Sequence, residues 1–248
     1  MYFYLFDAFL REKKYEIPLA KIEGRLFDLG LQGKSEKLTI LKSMKELVEN
    51  ALKRGADTLV AVGNDETLSK VIRFLGDQEI LLGFIPLGGK SIIADLLGIP
   101  YGAKACDVLS ARLVERLDLG KANDAYFLSF LEVAAGKDLF IECDERYTIE
   151  PIGSHHVTVF NFGHQGRDPR DGILEAVIQP EAEERKRLLG RRHDLAATIL
   201  PIRTMRIKSL GRSLVAYADG QTVVKTPMTV TVIPKKIRMI VGKHRAFA

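Results

Sequence analysis

Asp65 and Lys90 each stand in a short turn that follows an apolar segment. The first turn, Gly63-Asn64-Asp65-Glu66-Thr67, follows Thr58–Val62 and runs into a helical pattern. The second, Pro86-Leu87-Gly88-Gly89-Lys90-Ser91, follows Ile80–Ile85. A tight strand-to-helix turn gathers free backbone N–H groups and the positive end of a helix at one point, which suits phosphate. Gly88 and Gly89 permit close backbone approach to a ligand, and Lys90 can pair with a phosphate. Asp65 can hold Mg²⁺ or accept a proton from an attacking hydroxyl. Both turns are expected to leave the C-terminal ends of neighbouring strands, where open α/β sheets bind ligands. An ordinary strand–helix connection and a glycine-rich reversal explain the same residues without a ligand.

Other residues carry weaker signals. His155 and His156 head a strand, with Asn161 and His164 beyond. No Cys or carboxylate pattern supports a metal there, so surface or core histidines are expected. Glu181, Glu183 and Glu184 precede Arg185, Lys186, Arg187, Arg191, Arg192 and His193. The 185/181 and 187/183 pairs sit one helical turn apart, which reads as salt-bridge lacing on a solvated face. Cys106 and Cys143 are expected to pack as small apolar groups.

The elements that must position these residues change in kind along the chain. Tyr2–Phe6, Thr58–Val62 and Ile80–Ile85 read as buried strands. Between them lie helical patterns: residues 16–28 stopped by Gly30, and a long helix capped by Ser35 with apolar positions from Leu38 to Leu52. Further helices are read at Leu68–Leu75, residues 91–97 and Ala105–Leu117. Strands separated by helices imply a parallel sheet. Beyond Asn123 the pattern becomes ten short, β-branched strands: Phe127–Val133, Leu139–Cys143, Tyr147–Glu150, Val157–Asn161, Ile173–Ile178, Met205–Leu210, Leu214–Ala218, Thr222–Lys225, Thr229–Ile233 and Ile237–Val241. Asp219-Gly220 reads as a hairpin turn, and 181–197 as a helix. The expected fold is an α/β domain over 1–123, followed by an antiparallel β-sandwich over 124–248.

The chain has 248 residues, with 37 Lys+Arg against 32 Asp+Glu, 46% apolar and 28% charged. That balance excludes a disordered or fibrous chain. No apolar run approaches the ~18–20 residues of a membrane span. The N-terminal charges follow the apolar stretch, the reverse of a secretory signal. Two cysteines make no disulfide framework, and a reducing cytoplasm is expected. Residues 1–124 carry 18 positive and 18 negative side chains, whereas 185–248 carry 15 positive and only Asp194 and Asp219. Such asymmetry points to an anionic partner. Tyr217 and Phe247 are the only aromatics in that stretch, so nucleic acid is not expected.

The two turns and their surroundings resemble the diacylglycerol kinase catalytic-domain family. Gly63-Asn64-Asp65-Glu66-Thr67 is similar to its Gly-Gly-Asp-Gly-Thr signature. Pro86-Leu87-Gly88, with Ile93-Ala94-Asp95-Leu96-Leu97-Gly98-Ile99-Pro100, resembles its Pro-Leu-Gly-Thr-Gly-Asn-Asp-Phe-Ala-Arg-x-Leu-Gly-Ile-Pro stretch. Asn161-Phe162-Gly163 and Asp168-Pro169-Arg170-Asp171-Gly172-Ile173-Leu174-Glu175 match a later segment, and Ala218-Asp219-Gly220-Gln221 falls at its Asp-Gly-Glu. The match runs from about residue 56 to the end. The family includes lipid kinases and shares its nucleotide domain with NAD kinases.

The resemblance implies ATP between the two domains, with phosphoryl transfer to a lipid or other alcohol. It implies catalytic Asp65 and Asp219, nucleotide contacts from Gly63, Asn64, Glu66, Thr67, Pro86, Gly88, Gly89 and Lys90, and Mg²⁺ on Asp65 and Asp171. The partners it implies are a nucleotide and an alcohol substrate; the basic 185–248 stretch points to an anionic inner-membrane face met peripherally, and a second copy of the chain is also expected. The departures are specific. Asn64 and Glu66 replace glycines; Gly89, Lys90, Ser91 and Ile92 replace Thr-Gly-Asn-Asp. Gln221 replaces a carboxylate, and the family's opening Asn-Pro … Gly segment is not evident in residues 1–20. They support an alternative, a non-catalytic nucleotide- or lipid-binding relative.

Overall fold

A computed structural model describes residues 1–39, 41–76, 78–162, 168–181 and 197–247. The chain packs as two units, Met1–Leu117 with Lys235–Ala248, and Asp118–Pro234. This division departs from the expected domains 1–123 and 124–248, because the C-terminal residues return to the first unit.

In the first unit, strands β1 (Tyr2–Phe6), β2 (Gly33–Lys37), β3 (Thr58–Gly63) and β4 (Leu81–Pro86) form a parallel sheet in the order β2-β1-β3-β4. Every residue of β3 and β4 is buried, as continuous apolar runs require when both sheet faces are covered. The helices are α1 (Glu16–Asp28), α2 (Met44–Lys53), α3 (Asp65–Leu75), α4 (Ile92–Leu97) and α5 (Ala105–Ala111).

Two sequence expectations are corrected here. The helix expected from Ser35 begins at Met44, because Ser43 and Glu46 form a capping box, while Gly33–Lys37 pairs with β1 as an edge strand. Its residues, GKSEK, have poor strand propensity, and the neighbouring strand overrides it. The helix expected over Ala105–Leu117 stops at Ala111. Arg112 turns left-handed at φ +52°, and the apolar/polar alternation that follows becomes β5 (Val114–Ala122).

The second unit is built of β5 from Asp118, β6 (Ala125–Phe127), β7 (Phe130–Gly136), β8 (Leu139–Cys143), β9 (Tyr147–Ile149), β10 (His155–Phe160), β11 (Leu174–Pro180), β12 (Thr198–Ile202), β13 (Thr204–Ser209), β14 (Val215–Ala218), β15 (Thr222–Lys225) and β16 (Met228–Ile240) up to Pro234. Its strands pair antiparallel as β9-β8-β13-β16 and as β12-β11-β10-β7-β14-β15. Ile141, Met205, Ile207 and Val230 from the first set share one buried core with Leu131, Val133, Val157, Val159 and Ala216 from the second. That is the expected sandwich. Each buried Val, Leu, Ile or Met among them contributes roughly 1.5–3 kcal/mol.

β16 replaces two expected strands by one: its start pairs with β13, and Arg238 and Met239 pair parallel with β4. The helix expected over 181–197 falls on 182–196, outside the described residues.

Candidate functional site

β3 and β4 are neighbours, with Gly63 opposite Pro86, so the two turns leave the sheet side by side. Asn64 caps α3: its amide oxygen accepts from Thr67 N at 3.0 Å, and Asn64 N donates to the Thr67 hydroxyl at 3.2 Å. The Thr67 hydroxyl donates to Asp7 Oδ2 at 2.8 Å in a buried contact. Gly63 is required here by packing, since a Cβ would run into the Thr67 side chain. Glu66 lies 2.8 Å from Lys70, one turn along the helix. This exposed pair offsets its charge locally and adds little stability.

Asp65 joins the turns. Its carboxylate accepts from the Ser91 hydroxyl, from Ile92 N at 3.0 Å and from Ile93 N at 3.4 Å. Ser91, only 1% exposed, caps α4 by accepting from Ala94 N at 2.9 Å. Its backbone is gripped on both sides by the Tyr101 hydroxyl. Leu87 N donates to Gly63 O at 2.7 Å, a second tie between the turns. Gly88, Gly89 and Lys90 are exposed.

Asp7, Ser91 and Phe9, which lies against Gly88, were not legible as site residues. The signal for Asp7 was its place as the first polar residue after a buried strand. In a parallel sheet all strand C-termini meet at one edge.

The remaining candidates lie in the second unit. Asp219, at φ +48°, accepts from three backbone groups: Leu128 N and Ser129 N at 2.8 Å, and Phe130 N at 3.1 Å. Asp171 is exposed, and its carboxylate accepts from Ile173 N at 2.8 Å within its own turn. That turn is held by Asp118, 1% exposed, which accepts from Gly172 N at 2.7 Å and donates its own N–H to Pro169 O. Asn161 donates to Asp118 O at 2.9 Å and to Leu128 O at 2.8 Å. It thereby links the Asp171 turn to the loop that Asp219 holds. Gln221 N donates to Ala218 O in the hairpin.

Among the described residues no group of three His, Cys, Asp or Glu is placed to hold a metal. The expected Mg²⁺ ligands belong to different units, and each carboxylate accepts from backbone donors: Asp65 from Ile92 N and Ile93 N, Asp171 from Ile173 N. His156 lies 3.1 Å from Glu132, and His155 Nδ1 lies 3.4 Å from Gly153 O; His164 is outside the described residues. Burial pushes the Cys106 and Cys143 thiols up to about 11, which suits small packed groups.

Comparison with known proteins gives these residues a context. The family described as "Diacylglycerol kinase catalytic domain" matches residues 10–122. The match starts well before residue 56 and stops before the later motifs. A diacylglycerol kinase of Staphylococcus haemolyticus (strain JCSC1435) is 35% identical over 94 residues, 37% of this chain and 28% of that protein. One of Bacillus subtilis (strain 168) is 28% identical over 115 residues, 45% of this chain and 38% of that protein. The chain therefore spans well under half the length of these relatives in the matched stretches.

A solved diacylglycerol kinase from Bacillus anthracis str. Sterne has TM-score 0.79 at 17% identity, covering 98% of this chain and 97% of that one. An NAD kinase from Archaeoglobus fulgidus in complex with ATP has TM-score 0.61 at 14% identity, covering 99% and 95%. Residues 10–122 match the diacylglycerol kinase catalytic-domain model, and the fold of the chain is that of diacylglycerol kinase-like and NAD kinase-like structures.

Proposed function

We propose that this chain is an ATP-dependent phosphotransferase that acts on a lipid or other alcohol. The observation that carries the reading is the bridged pair of turns at the C-terminal ends of β3 and β4, with Asp65 joining them. Phosphoryl transfer asks mainly for positioning and charge stabilisation. The first N–H groups of α3, at Asp65 and Glu66, have no acceptor within the helix and can receive phosphate oxygens. Gly89 leaves backbone open beside them, and the Lys90 ammonium supplies positive charge. Asp65 holds the two turns in register and is the carboxylate of the first turn without a cationic neighbour on its own helix. A metal carried by the nucleotide's phosphates is compatible with the turns.

A second reading, a non-catalytic nucleotide- or lipid-binding relative, is favoured by Gln221, whose amide cannot serve as a base. Turnover separates the two. Wild type should phosphorylate at least one member of a diacylglycerol, sphingosine and glycerol panel, and Asp65→Asn should lower the rate ~100-fold, about 2.7 kcal/mol. Gln221→Glu should raise it. Equal background ATP turnover in all three proteins would discard the kinase reading in favour of the binder. ATP at a hundredfold excess over Kd should still stabilise either form by about 2.7 kcal/mol.

A further inference from the structure

The Gly88 turn is closed on one side. Gly88 has φ +105°, and a Cβ built there would lie 2.5 and 2.7 Å from the ring edge of Phe9. The face that a glycine leaves bare for a ligand is thus filled by an aromatic ring. At Gly89, φ +147°, nothing lies within 4 Å of the equivalent position. Phe9 is braced edge-on by Tyr15, with ring centroids 5.5 Å apart, and both residues are half-buried.

The two rings belong to a weakly held segment. Residues 8–15 form two 3-10 turns, Ala8–Arg11 and Lys13–Tyr15, neither with a side-chain N-cap, and Leu10 is the one buried residue in them. Short 3-10 turns have poor hydrogen-bond geometry, and segments with few buried contacts open well below the global unfolding free energy. The residue before the segment is firm. Asp7 N donates to Val62 O at 3.1 Å, and the Asp7 carboxylate holds Thr67. A hinge therefore falls between Asp7 and Phe9. The same segment carries Arg11, Lys13 and Lys14, all exposed, beside a turn whose own side chains, Asp65 and Glu66, are acidic.

We propose that residues 8–15 are a lid on one face of the Gly88 turn, with Phe9 as its plug, and that a polyphosphate reaches that face of the otherwise exposed Gly88 backbone only after Phe9 swings out. The inference rests on the nucleotide reading above and adds the regulation of that same site. A benzene ring offers a phosphate oxygen no hydrogen bond. The opened segment exchanges it for backbone N–H groups and for the Arg11 and Lys13 cations. Wild-type affinity is then reduced by the fraction of molecules with the lid open.

The test is calorimetric binding of Mg·ATP and of Mg·tripolyphosphate to the full chain. The variants are Phe9→Ala, Phe9→Tyr and Phe27→Ala, which removes a ring that is 69% exposed on α1. Phe9→Ala should bind both probes about tenfold more tightly if the lid is closed nine-tenths of the time. Phe9→Tyr, which keeps the ring, should not bind more tightly than wild type, and Phe27→Ala should match it. Equal affinities of wild type and Phe9→Ala overturn the lid while leaving nucleotide binding intact. Weaker binding by Phe9→Ala also overturns it, since the ring would then support the ligand. If no protein binds either probe at millimolar concentration, the nucleotide reading fails and the lid with it. Hydrogen exchange on wild type is independent of folding by the variants. The amides of residues 8–15 should change protection when Mg·ATP is added, and unchanged protection refutes the lid.

Discussion

Asp65 is where a single carboxylate does two jobs. At a loop tip in the sequence it reads as dispensable for folding, but it receives the Ser91 hydroxyl and two N–H groups at the start of α4. Asp65→Asn should therefore lower stability by about 1 kcal/mol as well as turnover, because the partly buried Ser91 hydroxyl and Ile93 N lose a charged acceptor. Ser91→Ala should reproduce the stability loss while retaining the carboxylate. Urea denaturation of both variants measures this, and unchanged midpoints would show that the bridge does not bear on folding. Asp219 is comparable in the second unit. Asp219→Ala strips the acceptor from three backbone donors and places alanine at φ +48°, so a loss above about 2 kcal/mol is expected. Asp219→Asn keeps one acceptor oxygen and tolerates the left-handed backbone, and should cost less than half as much.

The start of α2 shows how an element is fixed by its ends. Ser43 accepts from Glu46 N, and the Glu46 carboxylate accepts from Ser43 N at 2.7 Å. Ser43→Ala should cost about 1 kcal/mol. The hydrogen bonds from the Ser43 backbone, and then from its hydroxyl, hold the Glu46 carboxyl below its ordinary 4.5. A depressed carboxyl contributes stability above its unfolded pKa and loses it as pH falls through the folded value. Glu46→Gln should thus lower stability at neutral pH, where the ionised carboxylate contributes, and flatten the loss that wild type shows as pH falls below about 4.5. Chemical denaturation as a function of pH reads both effects. The same box explains why the long helix predicted from Ser35 starts later: two serines precede the apolar run, and only Ser43 has a glutamate three residues on.

At the scale of the molecule, the basic end of the sequence is divided. Of the fifteen basic residues in 185–248, Arg203, Arg206, Lys208, Arg212 and Lys225 belong to the second unit, and Lys235, Lys236, Arg238, Lys243 and Arg245 to the first. The other five lie outside the described residues. Some charge is answered locally: Arg206 is 3.6 Å from Glu142, and Arg245 is 2.8 Å from Glu115. Among the described residues no helix is long and apolar enough to cross a membrane. On the lipid-substrate reading, contact with a membrane is peripheral and electrostatic, at about 1 kcal/mol per well-placed cation. Co-sedimentation should require phosphatidylserine in the vesicles and disappear towards 1 M salt, where the Debye length is about 3 Å. Equal binding to neutral vesicles would rule out the electrostatic mechanism.

The strands Tyr2–Phe6, Thr58–Gly63 and Leu81–Pro86, the turns that follow the last two, and the change to short antiparallel strands were determined by the sequence itself. Each is written in local signals: continuous apolar runs, glycine at helix ends, alternation between turns. Only the tertiary structure decided that GKSEK is a strand, since its pairing with β1 is long-range and opposes its propensity. The return of residues 235–248 to the first unit is likewise long-range, held by the pairing of Arg238 and Met239 with β4 and by hydrogen bonds from Val241, Gly242 and Ala246 N to Leu113, Leu97 and Leu96 O. The site divides the same way. Gly63, Asp65 and Gly88 were legible from their spacing. Asp7 and Phe9 were not, because the contacts Asp7–Thr67 and Phe9–Gly88 join residues 60 and 79 apart in the chain. No local pattern encodes a separation that only the closing of the parallel sheet removes.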